Sequence, residues 1–266
     1  MNFSENDMSY SLKVLYSGST GNAALLQSGD TAVLIDAGRS ARCLSAAIMA
    51  AGCDPDAISA IFLTHEHGDH TAALEVFLKH HPMPVHAAGA SADKLLVRAG
   101  EHLRTALVPH PPLFSECVGD LTLSSFRTSH DSAESVGYRI AVKGENATHY
   151  LGYATDLGVV TPDVEQALCG CEGVVLECNH DEGMLMTGPY PYDLKRRVAS
   201  RRGHLSNTDC AVFSTRLAAN GMKRLLLAHL SETNNLPELA LGEVRAALAG
   251  TGVHIAAASP TEITEL

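Results

Sequence analysis

Short extended runs of apolar residues alternate with polar turns from the start of the chain, and helical spacing enters afterwards. Between Ser11 and Ala37 the order is LKVLYS, a GSTGN turn, AALLQS, a GD turn and TAVLIDAG, the pattern of a strand meander. Ser40 to Ala51 reads as an amphipathic helix with Gly52 as its stop. Ala60 to Thr64 is a short apolar strand that runs directly into HEHGDH. Helices are predicted at 71–81 and from Ala90 to Ala99, with PVHAA as a strand between them. Strands follow at LTLSSFRTS, VGYRIAVKG and HYLGYAT, and Gly173 to Glu177 reads as a buried strand. A helix from about Asp209 to Asn220, a strand at LLLAHLS, a helix from Leu239 to Ala249 and a last strand at VHIAAA complete the chain. Consecutive strands first, then strands separated by helices, predict an α/β (α+β) fold whose sheets carry helices on their outer faces.

The 266 residues hold no internal repeat and no flexible linker, so residues 1–266 are read as a single domain. With 45% hydrophobic and 18% charged residues, the chain has enough apolar matter for a core and too little charge for disorder. No apolar run reaches the roughly 18 to 20 residues of a membrane span, and MNFSENDMSY lacks the features of a signal peptide, which predicts a cytoplasmic protein with no membrane partner. The seven cysteines have no zinc-knuckle spacing and read as reduced and mostly buried. A net charge of −11 argues against a protein that coats nucleic acid through a broadly basic surface. It leaves room for an enzyme whose metals carry the positive charge. The 14 histidines, in a chain without tryptophan, direct attention to where those histidines stand.

His65-Glu66-His67-Gly68-Asp69-His70 is the strongest signal. Chance would supply an H-x-H-x-D-H in such a chain roughly 0.002 times. Residues two apart on a strand point the same way, so His65 and His67 reach one metal as the strand ends. Gly68 lets the chain turn and brings Asp69 and His70 round to a second metal. An exposed polar loop is the alternative, and the buried strand AIFLT leading into the motif argues against it.

HEHGDH, with LIDAG upstream, resembles the metallo-β-lactamase fold superfamily. The resemblance implies a four-layer αββα sandwich with a two-metal site at one edge. It implies His130, in RTSHDS, as a third ligand to the first metal, Asp156, in GYATDLG, as the bridge, and His229, in LLLAHLS, as a ligand to the second. Asp36 is then either a hydrogen-bond acceptor beneath the metals or an ordinary strand-end aspartate. SGSTGN (17–22), SHDSAESVGY (129–138), ECNHD (177–181), GPYPYDLKRRVASRRGHLSN (188–207) and HLSETNN (229–235) are similar to the YycJ branch, bacterial cytoplasmic proteins regarded as DNA exonucleases. Cys178 departs from that branch, where serine is expected.

The stretch around His204 resembles the C-terminal part of tRNA-processing nucleases of the same fold, where a histidine lies near the scissile phosphate. Only 47 residues separate Asp156 from His204, too few for the large cap of the β-CASP nucleases. His204 is read as a catalytic or phosphate-binding residue, with a structural hydrogen bond as the alternative, and His180 is left evenly open between the two. Lys195, Arg196, Arg197, Arg201 and Arg202 gather five of the 19 basic residues within eight positions. Either they bind phosphate, together with Asn207, or they form a solvated helix face.

These readings converge on a metal-dependent phosphodiesterase acting on nucleic acid, foremost a DNA exonuclease. His65, His67 and His130 would hold one ion, Asp69, His70 and His229 the other, and a water between them would be made acidic enough to yield hydroxide near neutral pH. Asp69 would also orient that nucleophile. Zn²⁺ suits imidazole and carboxylate donors best, and Mn²⁺ or Fe²⁺ also fit. The rivals are a phosphodiesterase for small cyclic nucleotides, a glyoxalase-type thioesterase and a metal-binding regulatory protein without turnover.

Overall fold

The computed structural model describes residues 10–266. Its first sheet places β1 (Tyr10–Tyr16), β2 (Ala23–Ser28), β3 (Thr31–Ile35), β4 (Ile58–Phe62), β5 (Val85–Ala88) and β6 (Leu107–His110) side by side, with β14 (Thr264–Glu265) outside β1. The second runs from β7 (Ser115–Val118) through β8 (Leu121–Arg127), β9 (Val136–Lys143), β10 (Thr148–Ala154), β11 (Gly173–Glu177) and β12 (Arg224–Ala228) to β13 (His254–Ala257). The helices are α1 (Ala41–Ala50), the single turn α2 (Gly68–Thr71), α3 (Leu74–His80), α4 (Gly89–Arg98), α5 (Glu101–Ala106), α6 (Pro162–Leu168), α7 (Glu182–Thr187), α8 (Tyr192–Val198), α9 (Asn207–Ala219) and α10 (Pro237–Ala247).

Strand periodicity sorts the apolar side chains into layers. Val33 and Ile35 of β3 face the second sheet and join Phe62, Tyr138, Tyr153, Val175 and Leu226 in one core. Leu34, between them, faces the other way and packs with Leu44, Ile48, Phe77 and Leu95 of α1, α3 and α4. On β12, Leu226 points inward, while Leu225 and Leu227 meet Val164, Phe213 and Val244 of α6, α9 and α10. Strands covered on both faces need apolar residues at every position, which is why LLLA and GVVLE read as unbroken runs. The result is the helix–sheet–sheet–helix sandwich that the resemblance implied.

Several elements go beyond the sequence expectations. β6 is a four-residue edge strand containing Pro109, and β7 is an equally short edge strand whose side chains are half exposed, so neither carries a strong pattern. Thr161 caps α6 and Pro162 opens it, a helix-start signal that the chain does carry. α7 and α8 are only six and seven residues long. The helix expected at 71–81 is divided between α2 and α3.

Strand direction decides where the strand ends meet. β3, β4, β5 and β6 are mutually parallel, and so are β10, β11, β12 and β13. Their C-terminal ends therefore share one rim of the sandwich, the usual place for a ligand in parallel sheets. Asp36 follows β3, His65 follows β4, Asp156 follows β10, Glu177 ends β11 and His229 follows β12. The turns at that rim are strained. Asp36, Asp156 and His229 have φ of 64°, 56° and 55°, in the left-handed region that branched and bulky side chains disfavour.

Candidate metal centre

His65 leaves β4 fully buried, His67 stands just before α2, and the single turn of α2 swings Asp69 and His70 back over the strand end. The loop is latched by backbone. The Asn22 N–H donates to the Asp69 carbonyl and the Ala37 N–H to the His70 carbonyl, each at 2.8 Å. Gly38 makes this approach feasible, since a Cβ there would lie 2.0 Å from the Asp69 carbonyl oxygen. His130 arrives from the loop after β8, and its Nδ1–H donates to the Gly203 carbonyl at 3.1 Å, which leaves Nε2 free.

Among the described residues, four sets of donor atoms meet at this rim, each with all members within 4.8 Å of one another: His65, His67 and His130; Asp69, His70 and His229; His65, His70 and Asp156; and Asp156, Glu177, His204 and His229. The third set ties the first to the second through Asp156. His70 Nε2 lies 3.3 Å from both Asp69 Oδ2 and Asp156 Oδ2.

Beneath the donors, Asp36 accepts from the Thr64 N–H at 2.8 Å, the Thr64 hydroxyl at 2.9 Å and His70 Nδ1–H at 2.8 Å. These bonds fix the His70 tautomer and present Nε2 upward. Glu177 does the same on the second sheet. Its Oε1 accepts from His204 Nδ1–H and His229 Nδ1–H, both at 2.8 Å, and its Oε2 accepts from the Leu157 and Leu205 N–H groups at 2.8 and 3.1 Å. A fully buried carboxylate is tolerated because four donors surround it. His229 is further held by its N–H to Ser17 Oγ at 2.7 Å, a bond between the two halves of the rim.

Charges follow from these contacts. Burial, reinforced by the neighbouring imidazoles, depresses the pKa of His65 well below the histidine range, and burial also lowers His67, so both rings are neutral, the form that coordinates metals. Asp156 would be raised by burial, but the neighbouring imidazoles, His229 and His70 foremost, outweigh that and hold it well below the carboxylate range. Glu177 likewise drops to about 2 against its burial, under the charges and hydrogen bonds of His204 and His229. The reciprocal effect on His204 overcomes burial and raises its pKa to about 9. Asp69 is lowered in spite of burial, mainly by His70.

The residues fit divalent metals on an independent ground. His65 Nε2, His229 Nε2 and Asp156 Oδ2 are buried without a hydrogen-bond partner, and each belongs to a donor set. An orphaned buried acceptor costs about 1 to 3 kcal/mol, and cations bound at this rim would satisfy the three of them together.

Structure separates the residues expected on the phosphate side. His204 stands beside the donors, its Nδ1 3.9 Å from Asp156 Oδ1. His180 is buried next to it. The basic run is partly committed elsewhere: Arg197 pairs with Asp131, Arg202 donates to the His130 and Ser132 carbonyls at 3.1 and 3.3 Å, and Lys195 donates to the Met186 carbonyl at 2.8 Å. Arg197 and Arg202 thus brace the His130 loop, while Arg196 and Arg201 are exposed. Asn207 requires a correction. Its side chain is 1% exposed and bonded to Asn235 and Cys178, so it faces the interior of the second sheet's helical layer and not a substrate. Reasoning from sequence also missed Glu177, although it opens the ECNHD stretch, because one carboxylate ending an apolar strand has no spacing to mark it. Asn22, whose Nδ2 lies 3.1 Å from His70 Nε2, was missed for the same reason.

Comparison with known proteins shows the family and the fold. The model of the "Beta-lactamase superfamily domain" matches residues 31–230. Exodeoxyribonuclease YycJ of Bacillus anthracis is 34% identical over 254 residues, spanning 93% of this chain and 92% of that protein. Exodeoxyribonuclease WalJ of Streptococcus pneumoniae is 30% identical over 239 residues, spanning 88% and 87%. Among solved structures, the metallo-beta-lactamase fold protein YhfI from Bacillus subtilis aligns with a TM-score of 0.73 at 17% identity, covering 97% of this chain and 99% of that one, a likeness of fold.

Proposed function

This chain belongs to the beta-lactamase superfamily domain family, in its YycJ-type branch, and from that premise we propose a dinuclear phosphodiesterase that removes nucleotides from DNA ends. The observation that carries the reading is the pair of donor sets, His65–His67–His130 and Asp69–His70–His229, joined through Asp156, with His204 held at their flank by Glu177. These residues would hold two divalent ions, Zn²⁺ foremost, which when bound would supply a water of lowered pKa and positive charge against the attacked phosphate. The relatives' names supply the choice of DNA.

The protein's own groups have distinct parts. Because Glu177 takes the Nδ1–H, His204 keeps Nε2 for the substrate, and a pKa near 9 makes it an imidazolium at neutral pH. It donates to a non-bridging phosphate oxygen or protonates the leaving oxygen. Asp69, ionised and with about a quarter of its side chain exposed, accepts a hydrogen bond from the attacking water and orients it. Rigid hydrogen bonds from Asp36 and Glu177 keep the imidazoles aimed while charge develops.

The test is a panel of DNA and RNA oligonucleotides labelled at either end and incubated with protein loaded with Zn²⁺ or Mn²⁺. Stepwise shortening of DNA supports the reading. Intact oligonucleotides alongside hydrolysis of a cyclic nucleotide or a glutathione thioester would replace it with one of the rival hydrolases.

A further inference from the structure

His180 has no part in the donor sets or in the Glu177 network, yet it is 2% exposed and its ring makes no hydrogen bond. Only its backbone is tied, the carbonyl accepting from the Asn207 N–H at 2.9 Å. Nδ1 is buried without a partner, an unfavourable state that a hydrogen-bonding ligand would relieve. The ring lines a cavity of about 190 Å³ between α7, the end of α8 and the start of α9. Leu185 and Met186 form an apolar side of it, Glu182 and Asp209 an acidic side, and His204 lines it as well.

His204 is therefore shared: the cavity and the metal-binding rim have this side chain as a common wall. A diester whose phosphate sits against His204 sends one of its two substituents into the cavity. We propose that the cavity receives the terminal nucleoside of the substrate, with His180 bonding to the base or a sugar hydroxyl and Leu185 and Met186 packing against the rings. The inference rests on the nuclease reading. The volume falls below the roughly 300 Å³ of a drug-sized pocket, which leaves room for one nucleoside and not for a run of them. Glu182 and Asp209 repel a second phosphate, so the terminal residue that enters is uncharged beyond the scissile group. Burial, ahead of the opposing charge of Glu177, pulls His180 below the usual histidine pKa, so its neutral ring offers one donor and one acceptor, as a base edge or hydroxyl requires.

Calorimetry on the metal-loaded full chain tests this with three probes: thymidine 5′-monophosphate, thymidine 3′-monophosphate and inorganic phosphate. At least one nucleotide should bind on the order of tenfold more tightly than phosphate, the worth of about one buried hydrogen bond with its packing. His180→Ala should erase that advantage and leave phosphate affinity unchanged. Ala199→Leu, at an exposed position lining the same cavity, should do so by filling it without touching the buried ring. Equal binding of nucleotide and phosphate by the wild type, or an advantage that survives both variants, overturns the proposal. Failure of the nuclease reading shows separately, as intact end-labelled oligonucleotides in the digestion assay.

Discussion

Glu177→Gln isolates the network that aims His204 and His229, because the two side chains have the same shape and differ in charge and in one donor. Glu177 accepts four N–H groups, two on each oxygen. An amide cannot replace either oxygen without placing its NH₂ against two donors. With the amide nitrogen toward Leu157 and Leu205, two backbone bonds are lost. With it toward the histidines, both rings lose their acceptor and are driven to the other tautomer. Either way two bonds to a carboxylate disappear, at about 1.5 to 3 kcal/mol each, and breaking a buried charged pair costs about 3 to 5 kcal/mol. Urea unfolding near pH 7 should therefore show a loss of about 3 to 5 kcal/mol. Competition with a chromophoric chelator should show metal affinity reduced about 10- to 100-fold, the usual effect of removing a partner of a ligating histidine. The pH dependence has a defined sign. The folded-state pKa of Glu177 is depressed to about 2 from an ordinary 4.5, so its stabilisation is complete above about pH 4.5 and is lost as pH falls through 2. The stability gap between wild type and variant should narrow over that window. A variant within about 0.5 kcal/mol of wild type, with unchanged metal affinity, would refute the assignment of Glu177 as the anchor of both rings.

His67→Ala and Asp69→Ala each remove a donor from one set, and elemental analysis should find fewer than two ions per chain with activity falling in parallel; full loading and full activity in either variant would contradict the site. Gly203→Ala places a Cβ 2.1 Å from the Val198 carbonyl oxygen, a backbone atom with no room to yield, so thermal unfolding should show a loss of about 1 to 3 kcal/mol along with reduced turnover. Arg202→Ala and Arg201→Ala separate bracing from substrate binding. Arg202→Ala should lower kcat by loosening the His130 loop, whereas Arg201→Ala should weaken oligonucleotide binding and flatten its salt dependence by about one counterion. The same salt slope in both variants would show that the run does not divide this way.

Part of the rim was legible in the chain itself: HEHGDH is six consecutive positions whose spacing already implies two directions of approach. His130, Asp156 and His229 carry no such local pattern and were placed by the resemblance to the family. The layered core was legible for a similar reason, since period-two alternation and unbroken apolar strands are imposed by what each strand must cover. Tertiary structure alone decided the rest. Glu177 becomes the anchor of His204 and His229 only because parallel β11 and β12 end at the same height, and no local spacing records that contact. Asn207 and Arg202 look in sequence like candidates for a phosphate, yet one is drawn into the interior by Asn235 and the other onto the His130 loop. A polar side chain's partner depends on which segments meet across the fold, at separations of 28 residues for Asn207–Asn235 and 72 for Arg202–His130. Apolar periodicity determines which face of an element turns inward; the partners of its polar groups are set by the packing of elements distant in the chain.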